Sequence, residues 1–216
     1  MSRALGIALL AVLLTACKSV AVGPPPSVPG SPGELVRDIA EDASRSDQES
    51  DAKAREALAA DALRKANACL KLAPQDAGCL YYNGVALGLD ARAHPARALD
   101  TLKSMLKALD AADVGNPSYD EAGPSRVRAL VLIRAPGWPL GPGDPEAGLA
   151  SAKKAVSLKP DYPPNVMALA ESLGKNGDAD GARAAYLRAR QQAQSYPAGS
   201  DRDDWLKQAD EALKRP

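Results

Sequence analysis

The chain has 216 residues, with 27 Lys+Arg against 27 Asp+Glu, so neither the basic footprint of a nucleic-acid binder nor an acidic tail is indicated. Aromatic residues make up 4% and Phe is missing altogether, while Ala and Leu, both strong helix formers, dominate over sparse β-branched residues. No segment alternates convincingly with period two, which argues for an all-α chain and against a sheet.

The first element is a leader. Arg3 supplies a positive start, and Ala4 to Leu14 form an uncharged apolar run. That run is shorter than the roughly 20 residues a bilayer-spanning helix needs. It ends in Leu14-Thr15-Ala16-Cys17, which resembles the lipobox of bacterial lipoproteins, with small residues before the cut. The alternative is an ordinary secretory signal with an incidental cysteine. The resemblance implies removal of residues 1–16, a diacylglyceryl group on the Cys17 sulfur and acylation of the new amine. Several acyl chains together make a lasting anchor where one does not. Lys18 and Ser19 follow the cysteine, with no Asp there. By the sorting rule of such lipoproteins, this points to the outer membrane, facing the periplasm.

Residues 17–33 are rich in Pro, Gly and Ser, with Pro24, Pro25 and Pro26 in a row. They read as an extended lipidated tether reaching roughly 50 Å. Residues 34–216 read as one helical domain of ordinary size. Helices are expected over Glu34–Ala43 and Asp51–Leu72, the latter carrying Ala54, Leu58, Ala62, Ala66 and Cys69 on one face. Two more follow, Ala77–Leu89 and, after a turn at His94 and Pro95, Ala96–Leu109. A polar loop over Ala111–Gly123 leads to a helix with Pro124 in its first turn, running to Arg134. The Pro/Gly loop Ala135–Gly143 contains Trp138. Asp144 caps the next helix, with Pro145 at its first position, running to Lys159. The last three are Pro164–Lys175, Ala179–Gln194 and Asp203–Leu213. Cys69 and Cys79 form an even remainder in an oxidising compartment, so they are either one disulfide or two buried thiols.

The spacing of small residues resembles the tetratricopeptide repeat, a pair of packed helices in about 34 residues. With Pro160 at the closing position, Val166, Leu169, Ala170, Leu173, Ala182, Tyr186 and Ala189 fall on the family's pattern without a gap. Pro74 sets a second frame with Leu80, Gly84 and Leu87, preceded by Ala62, Ala66 and Cys69. The two prolines stand about eighteen residues further apart than two repeats require. The surplus is assigned to the two long loops, where repeat insertions often carry binding. The stretch Tyr119-Asp-Glu-Ala-Gly-Pro-Ser-Arg126, with Ala135-Pro-Gly-Trp-Pro139, Gly143-Asp-Pro145 and Pro160-Asp-Tyr-Pro-Pro-Asn165, resembles bacterial tetratricopeptide lipoproteins. Some of these are similar to the T-component of tripartite ATP-independent periplasmic transporters.

Chemistry is harder to place. His94 is the single histidine, and it reads as a solvated turn residue, because a metal ligand or general base needs partners. Gly141-Pro-Gly143 is too short to cradle phosphate, and no nucleophile elbow is present. Asp144 and Glu146 are explained by helix capping. No cofactor or metal is implied, and the chain reads as non-catalytic.

The repeat resemblance implies a concave groove lined by the first helix of each pair. Here that gives Gly78, Tyr81, Val85, Gly88 and Leu89, and further along Pro164, Met167, Glu171, Gly174 and Lys175. Trp138 is either an anchor for a partner or ligand, or a plug packing its loop onto the helices, the commoner arrangement. Arg126 either binds a carboxylate or braces a loop through a salt link. The fold expected is a right-handed all-α solenoid of about four helical hairpins with a C-terminal capping helix. The function expected is a scaffold binding a protein partner in the cell envelope. A small-ligand subunit of a solute uptake system is the alternative, and self-association stays open. If Cys17 is the anchor, Cys17→Ser leaves an uncleaved or soluble precursor, because the thioether requires sulfur. Detergent-phase partition reads this directly, and a Cys17→Ser chain that remains acylated and detergent-bound refutes the assignment.

Overall fold

The structure is a computed structural model and describes residues 30–214. The leader, Cys17 and most of the tether lie outside the described residues. The elements are α1 (Pro32–Gln48), α2 (Ala52–Leu72), α3 (Ala77–Ala93), a short 3-10 turn (Pro95–Arg97), α4 (Ala98–Gly115), α5 (Tyr119–Arg134), α6 (Pro145–Leu158), α7 (Pro163–Lys175), α8 (Ala179–Gln194) and α9 (Ser200–Leu213).

Acidic and hydroxyl side chains start most of these helices by accepting from orphan backbone N–H groups. Ser31 and Glu34 form a capping box, with the Ser31 N–H donating to Glu34 Oε2 at 2.7 Å. Asp51, Asp76, Asp144 and Asp178 accept from Ala54, Cys79, Ala147 and Gly181 N–H at 2.8, 2.9, 3.0 and 2.8 Å. Pro145 and Pro163 occupy first-turn positions, where the missing N–H costs nothing.

Antiparallel neighbours pair as α1–α2, α3–α4, α5–α6 and α7–α8, and α9 closes the end. The odd-numbered helices also approach one another in succession, α1 to α3 to α5 to α7 to α9, whereas the even-numbered helices stand further apart, α4 and α6 being linked by the Lys154–Asp113 ion pair. One layer is therefore more closely spaced than the other. The stack curves, with the odd helices on its inner side, as expected for a solenoid of four hairpins and a cap.

Small residues set the packing within hairpins. Ala59, Ala62, Ala66 and Ala86 are fully buried around Ile39 where α1, α2 and α3 meet. Val166, Ala170, Ala185 and Ala189 form the corresponding buried cluster of α7 and α8. Gly84 faces Leu109 so closely that a Cβ there would sit 3.0 Å from its Cδ2 atom. Cys69 at the end of α2 and Cys79 in the first turn of α3 are bonded across the Pro74 turn, Cα to Cα 5.4 Å, beside buried Leu35. In the loop-entropy account, a loop this short is worth about 2–3 kcal/mol.

Several bounds differ from expectation: α3 runs on to Ala93, α9 starts at Ser200, and α1 and α4 are longer. Helix α1 continues past Ala43 to Gln48 because its polar end is tied down. Lys65 donates to buried Asp42 at 2.6 Å, and Arg92 donates to Ser46 Oγ at 2.6 Å and to Asp47 at 2.7 Å. Helix α4 runs a turn and a half beyond Leu109, because Ala112 is buried against α3 and Asp113 accepts from Ser125 at 2.8 Å. Much of the expected first loop is thus helix. His94 is not freely solvated either. It ends α3 half-buried, with Nδ1 3.0 Å from Asp90 and Nε2 3.3 Å from Glu56.

Leu at Gly84 or at Ala170 should overpack a helix contact and lower stability by about 1–3 kcal/mol. Lys175→Ala, at an exposed site, should change it by less than about 0.5 kcal/mol. Urea unfolding of the three variants measures this, and equal losses at all three would refute the repeat frame.

Candidate interaction groove

The middle of the solenoid departs from regular repeat geometry at the start of α5. Asp120, Glu121 and Ala122 take φ of 48°, 54° and 64°, a left-handed turn of non-glycine residues. Each such residue costs roughly 1–2 kcal/mol relative to the right-handed form. The turn redirects the chain so that Gly123 and Pro124 begin the helix proper, with Pro124 in its first turn.

Arg126 holds this turn. Its guanidinium donates to the Asp120 and Glu121 carbonyls at 3.2 and 3.1 Å, to Asn165 Oδ1 at 3.1 Å and to the Asp120 carboxylate at 2.9 Å. Asn165, fully buried on α7, donates in return to the Glu121 carbonyl at 2.9 Å and the Lys159 carbonyl at 3.1 Å. Tyr162 presents its ring to Arg126, 5.1 Å from the guanidinium carbon. The Tyr81 hydroxyl donates to Asp120 Oδ2 at 2.7 Å. Burial pushes the Tyr81 phenol well above its ordinary pKa, so it remains a proton donor at neutral pH. Arg126 therefore braces the loop, with Nη1 and Nη2 engaged inside the protein. Arg128, two residues on, donates to Asp110 at 2.8 Å and to Ser151, tying α4 and α6 to α5.

Tyr82 packs edge to face with Tyr81 and Tyr119 beside this turn, Tyr81 and Tyr119 are tilted at 60°, and the centroids are 5.0 to 6.4 Å apart. The three rings fill the space between α3 and α5 at the N-terminal ends of both helices. At the other end the facing residues are Gly88 and Ala91, too small to close the gap. An apolar cavity of about 660 Å³ results, walled by Leu102 and Met105 of α4, by Val127, Leu130 and Val131 of α5, and by Pro136. Arg92 and Arg134 also border it.

A second cavity, about 270 Å³, lies on the far side of Leu130 and Arg134, between α5, α7 and α9. It is polar, with Arg126, Glu171, Gln208 and Glu211 beside Met167 and Pro164. Arg134 grips Glu171 with two bonds, of 2.7 and 2.6 Å, a fork geometry that holds both side chains still. The pair raises the Arg134 pKa further.

The groove residues named from the repeat frame divide accordingly. Met167 and Glu171 line the polar cavity. Lys175 is exposed at the end of α7. Val85 is half-buried against the α3–α4–α5 cluster. Tyr81, 4% exposed, and Leu89, 8% exposed, are core residues beyond the reach of a partner. The frame placed them in a groove, but Tyr81 is covered by α4 and α5 and Leu89 packs against α1 and α2. Trp138 is not the plug that was the commoner expectation: it is 90% exposed, with Leu140 at 77% close by on the same loop. That loop is built without it, by Gly143 N–H to Pro136 O at 2.8 Å and Asp144 N–H to Leu132 O at 2.9 Å.

Sequence reasoning named Arg126 but missed Leu130 and Arg134, which continue its stripe at four-residue spacing along α5 and divide the two cavities. The spacing was visible, but α5 stood outside both repeat frames. Leu140, and the α9 residues Gln208 and Glu211, were missed as well. Among the described residues, no cluster of His, Cys, Asp or Glu is placed to hold a metal ion.

Solved structures that resemble this one include TTC0263 and MamA protein. TTC0263, a thermophilic TPR protein of Thermus thermophilus, is 24% identical with a TM-score of 0.56, over 84% of this chain and 91% of that one. MamA protein is 14% identical with a TM-score of 0.47, over 78% and 99%. No protein-family profile matches the chain, and no curated protein matches it.

Two variants probe the left-handed turn. Glu121→Gly should leave stability unchanged or raise it by up to about 1 kcal/mol, because glycine carries no left-handed penalty and loses only about 0.5–1 kcal/mol in chain freedom. In an ordinary helix the same change costs about 1 kcal/mol. Arg126→Leu should lose about 2–3 kcal/mol by stranding buried acceptors. Thermal and urea unfolding measure both, and a Glu121→Gly loss of the ordinary helical size would refute the turn. In fold, the chain is a TPR-like helical protein, an all-α solenoid of hairpins.

Proposed function

We propose that this protein is a non-catalytic, membrane-anchored scaffold of the periplasm that binds a protein partner through its inner groove and the loop after α5. The observation that carries the reading is the apolar cavity between α3, α4 and α5, with Trp138 and Leu140 held in solvent on the adjoining loop. Exposed aromatic and aliphatic side chains beside an apolar recess are the usual composition of a protein-binding hot spot. A polar rim of Arg92, Arg134 and Glu171 would set orientation. The scaffold role also agrees with the fold.

Membrane attachment rests on the lipobox resemblance at Cys17 and on the outer-membrane sorting signal after it. Among the described residues, no helix is long and apolar enough to cross a membrane, so the anchor proposed is the acyl chains. A small-ligand role in solute uptake would use the same cavity, whose volume falls in the range of ligand pockets. The exposure of Trp138 favours the partner, because a ligand cleft would enclose it.

Photoreactive residues at Trp138, Leu140 and Met167 in intact cells should trap one recurring envelope protein, and the same group at buried Leu109 should not. If the groove positions trap nothing, and the purified protein retains a small apolar molecule that occupies the Leu102–Val127 recess, the uptake reading replaces the scaffold.

A further inference from the structure

A third recess lies at the C-terminal end of the solenoid, outside the groove. Tyr162 caps α7 at its N-terminus, Tyr196 and Pro197 form the turn after α8, and Trp205 stands in the second turn of α9. They converge on a cavity of about 350 Å³ completed by Gly199, Ser200, Asp201 and Arg202. The Tyr162 ring stands 5.4 Å from the indole at 78°, and the Tyr196 ring 5.1 Å from it at 86°. Rings at right angles form a corner rather than a closed stack. All three are half-buried, so part of each ring remains open to the recess.

Aromatic faces and a carboxylate line the corner. Aromatic faces carry the negative lobe of the ring quadrupole. Asp201 sits in the wall, and Asp161 and Glu121 lie beside Tyr196. Burial and then, against the pull of Arg126, the carboxylates of Asp120 and Asp201 raise the Tyr162 pKa. Burial, Glu121 and Asp161 raise that of Tyr196. Both phenols therefore stay neutral. The cation in the wall, Arg202, is engaged by the Asp203 carboxylate at 2.9 Å. Tyr162 already receives one cation, the Arg126 guanidinium.

We propose that this aromatic corner binds a compact alkylated ammonium ion, of which the trimethylammonium group of choline is the type. Such an ion is weakly hydrated, matches perpendicular aromatic walls and gains from a nearby carboxylate. The site needs no groove partner, so it stands or falls independently of the scaffold reading.

The chain has two tryptophans, hence two indole N–H signals in a nitrogen-15 correlation spectrum. Titration with choline chloride should shift the Trp205 signal saturably and leave that of Trp138 in place. The neutral isostere 3,3-dimethylbutan-1-ol should produce no comparable shift. Tyr196→Leu should weaken choline binding by about two- to fivefold, the worth of one exposed ring. Asp201→Asn, at an exposed position that does not threaten folding, should weaken it as well. A headgroup source is distinguished from a free solute by dihexanoylphosphatidylcholine below its micelle concentration: tighter binding than choline assigns the lipid, weaker binding the solute. No saturable Trp205 shift, an equal response to the neutral isostere, or indifference to Asp201→Asn overturns the proposal.

Discussion

The central constraint on this protein is the guanidinium of Arg126. A left-handed turn exposes backbone carbonyls in directions that a right-handed helix never presents. Asp120 and Glu121 can keep that geometry only if those carbonyls find donors. Arg126 reaches both and also bonds Asn165 and the Asp120 carboxylate, so one side chain joins α5 to α7. Tyr81 fastens the same carboxylate to α3. The third hairpin is thus registered against its neighbours by polar bonds, whereas the first and last hairpins are registered by alanine packing.

That difference produces the groove. Where Ala and Gly face each other, helices close on one another and leave no recess. At the α3–α5 step, three tyrosines fill one end of the interface and small residues leave the other end open. The apolar cavity is the consequence, and the Pro/Gly loop leaves α5 at its mouth. Leu130 and Arg134 then divide the inner face, apolar on one side and charged on the other. The same inserted segment that breaks the repeat also creates the surface that distinguishes this solenoid from a plain stack.

Electrostatics plays a different part at each level. The ion pairs on the outer surface are mostly exposed and contribute little individually. Those at Asp42 and Asp90 are buried on the carboxylate side, where Lys65 and Arg97 meet them. Their role is to fix where helices end: Asp42 and Lys65 carry α1 beyond its apolar face, and Asp90 anchors the turn between α3 and α4. At Arg134 and Glu171 a forked pair freezes two side chains in the groove itself, which prepares the charged wall at no further entropic cost.

The sequence by itself determined the all-α fold, the hairpin count and most helix starts, because those depend on local chemistry: Asp and Ser caps, proline stops and small residues at helix contacts. Ala179–Gln194 was legible to the residue, and Pro124 was placed in the right turn. The bonded partners Cys69 and Cys79 could be named but not joined, since spacing along a chain does not fix distance in space. Only the tertiary structure decided the ends of α1 and α4, which are held by side chains from distant helices, and the left-handed turn, which no residue from 120 to 122 favours on its own. It alone decided that Tyr81 and Leu89 are core, that Arg126 is a brace and that Trp138 stands in solvent. Leu89 is core because α1 and α2 cover it, whereas the others depend on where α5 sits, and α5 is set by contacts made across about forty residues of sequence.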